Sequence, residues 1–335
     1  MIIMKTLILA EDDVKRLLSM EEVMEAVELA FAEKGMNRAQ TPSKVFLSYQ
    51  KYNGDVRAMP SYLEGLDISA VEILNVHENN RAKFKLPTVM ATVLMLEPKN
   101  GTPIAMIGGT YIANLRTGAA GGIAAKYLAK KSSKIVGLVG AGAQAKAQLM
   151  ALLTLYGSLE EVRVWSRTKQ TREEFLEHIK REVGKRITRV VPVERPEDAV
   201  WKADIIATTT PSRAPVVLND WIQPGAHINC IGADAPGKQE IDSGILKRAK
   251  IVVDDWEQAS LSGEINVPFS QGVLKKEDIW CSLGEIVAGL KQGRKSDDEI
   301  TVFTSTGLAV QSAVTANIAY KKAMAHGLGQ MIELL

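Results

Sequence analysis

One stretch constrains the fold of this chain more than any other: Ile135-Val136-Gly137-Leu138-Val139-Gly140-Ala141-Gly142-Ala143-Gln144-Ala145. An apolar, strand-like run leads directly into Gly-x-Gly-x-x-Ala, and residues 144–155 continue with helical character. A strand, a glycine turn and a helix in that order make the phosphate-binding turn of a dinucleotide fold. Gly140 makes the tight turn, Gly142 lets the backbone approach a pyrophosphate, and Ala145, small in the third slot, lets helix and strand pack closely. The helix N-terminus, which begins around Ala141, Ala143 and Gln144, offers its N–H groups to the phosphates.

The residues that follow keep the same texture. Strands are expected at 161–165, 188–193, 204–209, 227–231 and 250–254, with helices at 171–183 and 196–201. Strands alternating with helices imply a mainly parallel sheet with right-handed crossovers. Residues 1–110 read differently. The first ten residues suit a first strand. Ser19 followed by Glu22 forms a capping signature for a helix with Val23, Val27, Ala30 and Phe31 on one face, ending at Gly35. Strand-like runs at 44–49, 68–76, 88–96 and 102–107 are separated by turns such as Asn53-Gly54-Asp55 and Pro98-Lys99-Asn100-Gly101. Residues 111–131 are an Ala- and Gly-rich helix, and a last helix at 308–325 is expected to pack back on the first domain. The fold class is therefore α/β: a Rossmann domain, 116–307, inserted into an α+β domain made of 1–115 plus 308–335.

Composition narrows the function. Lys plus Arg number 41 against 39 Asp plus Glu, a net charge of +2, which excludes a strongly basic nucleic-acid binder. Two cysteines exclude a disulfide scaffold and a four-cysteine metal site; no metal is expected, and a cytoplasmic setting is. No run approaches the length of a membrane span, and the acidic triplet Glu11-Asp12-Asp13 argues against a signal peptide.

The end of the second strand bears on cofactor choice. A carboxylate there would bind the ribose 2′-hydroxyl of NAD, but this chain has Ser166-Arg167-Thr168. Arg167 can pair bidentately with a 2′-phosphate and stack on adenine. NADP(H) is favoured, with NAD(H) open as the alternative in which Arg167 only covers the adenine. Thr208, Thr209 and Thr210 end one strand, and Gly232 and Ala233 end the next. Both lie on the rim where ligands bind in such sheets.

Several motifs in order give the chain a family likeness. Arg57-Ala58-Met59-Pro60, Asn75-Val76-His77, Asn114-Leu115-Arg116-Thr117-Gly118, Gly140-Ala141-Gly142-Ala143-Gln144, Gly232-Ala233-Asp234-Ala235-Pro236-Gly237-Lys238, Gly263-Glu264-Ile265-Asn266 and Ser305-Thr306-Gly307 span nearly its whole length. Together they resemble the ornithine cyclodeaminase/μ-crystallin family, most closely its archaeal alanine dehydrogenase and ketimine reductase branch. The resemblance implies a substrate and dimerisation domain around the dinucleotide domain, a homodimer, and a small amino or imino acid substrate. It adds Thr117 and Gly307 to the cofactor contacts. Carried over position by position, Arg116 matches the arginine that holds the substrate carboxylate, a task its planar fork suits. Arg57 and Lys44 match basic positions of the same pocket. Asp234 matches an aspartate facing the substrate amine, where it could move a proton.

One departure stands out. The family usually places a lysine three residues before the Asn-Val-His segment, and this chain has Glu72. An ionised glutamate offers neither a cation nor a proton donor. Glu72 is therefore either a general acid with a raised pKa or the group that binds an iminium cation; a swing of Lys83 or Lys85 into the site is the remaining alternative. A preformed cyclic ketimine needs no ammonia-handling lysine. The resemblance thus leaves four activities: reduction of a cyclic ketimine such as Δ1-pyrroline-2-carboxylate, alanine dehydrogenation, cyclodeamination of ornithine, and ligand binding without catalysis.

Overall fold

The computed structural model describes residues 5–334; residues 1–4 of the expected first strand lie outside them. The chain divides into two compact units. One holds the residues up to Arg116 together with those from Leu308 on, and the other is Thr117–Gly307. Arg116 thus falls with the first unit, one position beyond the expected boundary.

The first unit is built on an eight-stranded sheet. Its strands are β1 (Lys5–Leu9), β2 (Ala39–Gln40), β3 (Val45–Tyr49), β4 (Gly54–Leu63), β5 (Ile68–His77), β6 (Val89–Leu96), β7 (Pro103–Gly108) and a C-terminal strand, Gln330–Glu333. β4, β5, β6 and β7 follow one another as an antiparallel meander. The turn at 98–101 closes a hairpin, as its residues predict, and the turn at 53–55, with Asn53 in the left-handed region, closes another between β3 and β4. Sequence reading left 54–63 without a strand because Pro60 and Gly54 interrupt the β-forming run. In the structure β4 alternates buried and half-buried residues from Arg57 to Leu63, which is the period-2 signal of a half-buried strand. The helix α1 (Met20–Gly35) starts at Ser19 with the capping box predicted for it. The helix α2 (Thr110–Leu128) is capped by Glu11, whose carboxylate accepts from the N–H groups of Thr110 and Tyr111. It stops before the expected residue 131, where Ser133 turns back onto the Lys130 carbonyl. The C-terminal helix Ala309–His326 packs on β4, β5 and β6 and against α1.

The second unit is an eight-stranded, wholly parallel sheet. β8 (Ile135–Val139), β9 (Leu159–Trp165), β10 (Ile187–Pro192), β11 (Ile205–Thr208), β12 (His227–Cys230), β13 (Lys250–Val253), β14 (Ile279–Ser282) and β15 (Thr301–Thr304) lie in the order β10-β9-β8-β11-β12-β15-β13-β14. The first five follow the doubly wound order, and the direction reverses between β8 and β11. Apolar clusters cover both faces, one around Leu138, Leu149 and Phe175, the other around Ile206, Ile228 and Val302. Sheets buried on both faces need near-continuous apolar strands, and β11 has no exposed residue. The helices α3 (Ala143–Tyr156) and α4 (Lys169–Val183) follow β8 and β9. Gly118 of α2 sits where an added Cβ would meet the Ala147 carbonyl of α3 at 2.5 Å, so the small residues of α2 permit close helix packing.

Candidate functional site

The nucleotide turn lies at the reversal of strand order in the second unit. Gly140 has φ +120°, and a Cβ there would collide with Thr209, so only glycine fits. Gly142 is the N-cap of α3, and a Cβ there would meet no protein atom within 4 Å. The protein itself gives no reason for that glycine; a phosphate approaching the backbone does. Ala145 is fully buried in the core beside Leu138 and Val164, which explains the small third residue.

A cavity of about 520 Å³ opens at this turn. It is lined by Gly140, Ala141 and Gly142 after β8, by Trp165, Ser166, Arg167, Thr168 and Thr171 around the end of β9, and by residues 209–213 with Val216 after β11. No lining residue is acidic and two, Arg167 and Arg213, are arginines. Arg213, Trp165 and Thr171 escaped sequence reading, since nothing in the fingerprint points to them. Thr168 caps α4 by accepting from Thr171 N–H, and the buried Arg172 donates to the Ser166 carbonyl at 2.6 Å. The loop bearing Arg167 is therefore braced while Arg167 itself stays exposed.

The other expected cofactor residues do not line this cavity. Ala143 and Gln144 open α3. Thr117 lies in α2, its carbonyl accepting from Gln148 at 2.9 Å. Ala233 is buried next to Gly232. Thr208, Thr210 and Gly232 are drawn together by one side chain that sequence reading missed, Glu240. Gly307, at φ +78°, donates its N–H to the buried Asp254, which also binds Thr306. Asp234 forms a 2.6 Å ion pair with Lys238.

The first unit holds a second polar cluster. Glu72 lies on β5 opposite Met59 of β4 and Val93 of β6, on the sheet face covered by the C-terminal helix. Both Glu72 and Arg116 are buried, at 1% and 5% exposure. The Arg116 guanidinium lies 3.6 Å from Glu72 Oε2, and its Nη1 donates to Gln311 Oε1 at 3.3 Å. Ser312 donates to the same Glu72 oxygen at 2.8 Å. Three atoms of this cluster have no hydrogen-bond partner: Glu72 Oε1, Arg116 Nε and Gln311 Nε2. Arg57 shares the buried face, opposite Leu74 and diagonal to Glu72; it binds Asp55 at 2.8 Å and lies 5.1 Å from the Phe46 ring. Lys44 is half-buried just before β3, while Lys83 closes a one-turn helix and Lys85 is exposed. Gln311 and Ser312 carry no motif. Their signal is their place in the first half of the C-terminal helix, 309–316, which is buried throughout, since a buried polar residue asks for a partner.

A doubly wound sheet whose strand-order reversal carries an acid-free cavity and an open glycine turn defines a Rossmann-type dinucleotide-binding protein. The chain belongs to the ornithine cyclodeaminase/mu-crystallin family, whose model matches residues 4–327. It is 46% identical over 330 residues to an alanine dehydrogenase of Archaeoglobus fulgidus, covering 98% of this chain and 99% of that one. An archaeal alanine dehydrogenase dimer with bound NAD superposes with a TM-score of 0.92 at 45% identity, over 99% of this chain and 100% of the other. A Δ1-pyrroline-2-carboxylate reductase of Thermococcus litoralis, solved with NADH and L-proline, gives 0.93 at 40% identity, over 98% and 100%. Among the described residues no helix is long and apolar enough to cross a membrane, and no group of side chains suits a metal ion.

Proposed function

We propose that the protein is an NAD(P)H-dependent oxidoreductase that reduces a C=N bond alpha to a carboxylate, with a cyclic ketimine such as Δ1-pyrroline-2-carboxylate as substrate and L-proline as product. The observation that carries this reading is the trio of buried, unpartnered atoms at Glu72, Arg116 and Gln311. Two are donors and one is an acceptor. A protonated imino acid complements them: its carboxylate accepts from Arg116 Nε and Gln311 Nε2, and its iminium N–H donates to Glu72 Oε1. Leaving such atoms unmatched costs about 1–3 kcal/mol each, which a zwitterion repays. Charge agrees. Arg116 and Glu72 form an ion pair, and the zwitterion of an imino acid offers each of them an opposite charge.

The bound cofactor supplies a hydride to the imino carbon. The protein's part is to hold substrate and nicotinamide in near-attack geometry. Arg116, with Arg57 and Lys44, fixes the carboxylate. Glu72 stabilises the iminium, which accepts hydride more readily than a neutral imine. Asp234, paired with Lys238, relays the proton that the product amine gains. Residues 140–144, Thr117, residues 208–210, Gly232, Ala233 and Gly307 hold the dinucleotide. Arg167 and Thr168, with Ser166, receive a 2′-phosphate, favouring NADP(H). The exposed apolar edge strand β3, with Val45, Phe46, Leu47 and Tyr49 open to solvent, suits a homodimer contact. Free, buried Cys230 and Cys281 suit a reducing, cytoplasmic setting.

The 46% identity to an alanine dehydrogenase favours a second reading, reduction of the imine of pyruvate. A panel following NADPH and NADH oxidation at 340 nm decides between them. Turnover is expected on Δ1-pyrroline-2-carboxylate and Δ1-piperideine-2-carboxylate, and little on pyruvate plus ammonium. The reverse ranking would select alanine dehydrogenation. Ammonia release from ornithine with no net NADH change would select cyclodeamination.

A further inference from the structure

Glu240 and Glu264 are both fully buried in the second unit, and neither belongs to the phosphate turn nor to the substrate cluster. Glu240 Oε1 accepts from Thr210 N–H at 2.5 Å and Thr210 Oγ1 at 2.8 Å. Its Oε2 accepts from Thr208 Oγ1 and Gly232 N–H, both at 2.8 Å. One carboxylate thus ties the loop after β11 to the loop after β12. The two loops touch so closely that a Cβ at Gly232 would collide with Thr210. Glu264, from the Gly263-Glu264-Ile265-Asn266 segment, supports this clamp from behind: its Oε1 accepts the N–H groups of Glu240 and Ile241 at 2.8 and 2.7 Å. Glu264 Oε2 is buried with no partner.

We infer that Glu240 is a positioning residue for the dinucleotide: its carboxylate sets the spacing of the two strand-end loops that receive the cofactor, and Glu264 serves it as a neutral, proton-bearing support. This rests on reading the rim as a cofactor surface. The division of labour follows from the bonds. Four donors converge on Glu240, which suits the ionised form. Glu264 has one oxygen free for a proton. Burial pushes both carboxyls up, Glu240 to about 7 and Glu264 well above its ordinary value, the latter further raised by Glu240. The Cys230 thiol at the end of β12 lies near them and is pushed up chiefly by burial.

The test is NADH affinity, read by fluorescence titration without substrate, in folded variants of the full chain. E240Q turns an amide donor toward backbone or hydroxyl donors and is expected to weaken NADH at least tenfold. E264Q keeps one carbonyl oxygen for both N–H groups and is expected to stay within twofold of the parent. An E240Q affinity within twofold of the parent overturns the inference, as does an E264Q loss as large as that of E240Q. If E240Q does not fold, T208V removes one of the four bonds and is expected to weaken NADH about threefold; an unchanged affinity there is equally fatal. Because no turnover is read, a failure of ketimine reduction leaves this test standing.

Discussion

Glu240 and Asp254 of the second unit are saturated, and the buried polar cluster of the first unit is not. Glu240 accepts four hydrogen bonds, and Asp254 closes on Thr306 and Gly307. In the cluster of Glu72, Arg116 and Gln311, by contrast, three buried polar atoms are left over. A saturated buried network holds backbone in one arrangement, and an unsaturated one holds binding capacity in reserve. On the proposed reading the saturated rim holds the cofactor. On the same reading the unsaturated cluster, with Glu72, receives the substrate.

The sharpest way to break that contrast is Arg116→Lys. A lysine keeps the charge but not the fork, so the bond to Gln311 and the bond offered to the substrate carboxylate are lost, the charge-assisted ones worth about 1.5–3 kcal/mol each. We expect ketimine kcat/KM to fall by about two to three powers of ten while NADH affinity stays within about twofold, at 1.4 kcal/mol per tenfold. An equal loss of cofactor affinity would show that the two sites are not separable. Glu72→Gln comes next. It keeps an acceptor for Ser312 but removes the charge that faces the iminium, and hydrogen bonds to charged groups are worth about 1.5–3 kcal/mol. Ketimine turnover should drop by about ten- to a hundredfold, with pyruvate plus ammonium affected less. An unchanged rate would make Glu72 a bystander.

Within the second unit, Arg167→Ala sharpens the comparison on its cofactor side. Arg167 is exposed at a braced loop, and no acid lines the cavity. NADPH should lose about tenfold in KM, at the lower end of a charge-assisted hydrogen bond, and NADH should change little. Equal losses would mean that Arg167 merely covers the adenine.

The two units also differ in how much of them could be read from sequence. The nucleotide turn is written in consecutive residues, so its steric logic at Gly140 is visible without coordinates. The parallel sheet announces itself by alternation. The substrate cluster is assembled across the chain: Arg116 meets Gln311 at a separation of 195 residues, and Glu72 meets Ser312 at 240. Arg116 and Glu72 could be picked out by likeness to a family, but their mutual ion pair could not, because no local pattern encodes it. The strand β4 was hidden for a simpler reason. Pro60 breaks the propensity signal, and the pairing with β3 and β5 overrides it. Arg213 and Glu240 reach their places through loops, whose paths depend on tertiary contacts.

The smallest effect expected concerns stability, and it tests whether Glu264, behind the saturated clamp, carries a proton. Burial, first among the causes, raises Glu240 to about 7 and Glu264 well above the ordinary 4.5. The unfolded chain releases these protons near 4.5, the folded chain at higher pH, about 7 for Glu240. The folded state therefore binds more protons across this window, and stability falls as pH rises through it. Their contribution is complete below about 4.5 and is lost as pH rises through each folded-state pKa, about 7 for Glu240. E264Q cannot release its proton and should resist this decline. Melting temperatures at pH 5 and pH 8 should show the parent falling further than E264Q by about 3 °C or more, since 1 kcal/mol is worth roughly 2–4 °C in a domain of this size. Parallel falls in the two proteins would mean that Glu264 is ionised in the folded protein at neutral pH, a second anion opposing the clamp it was taken to support.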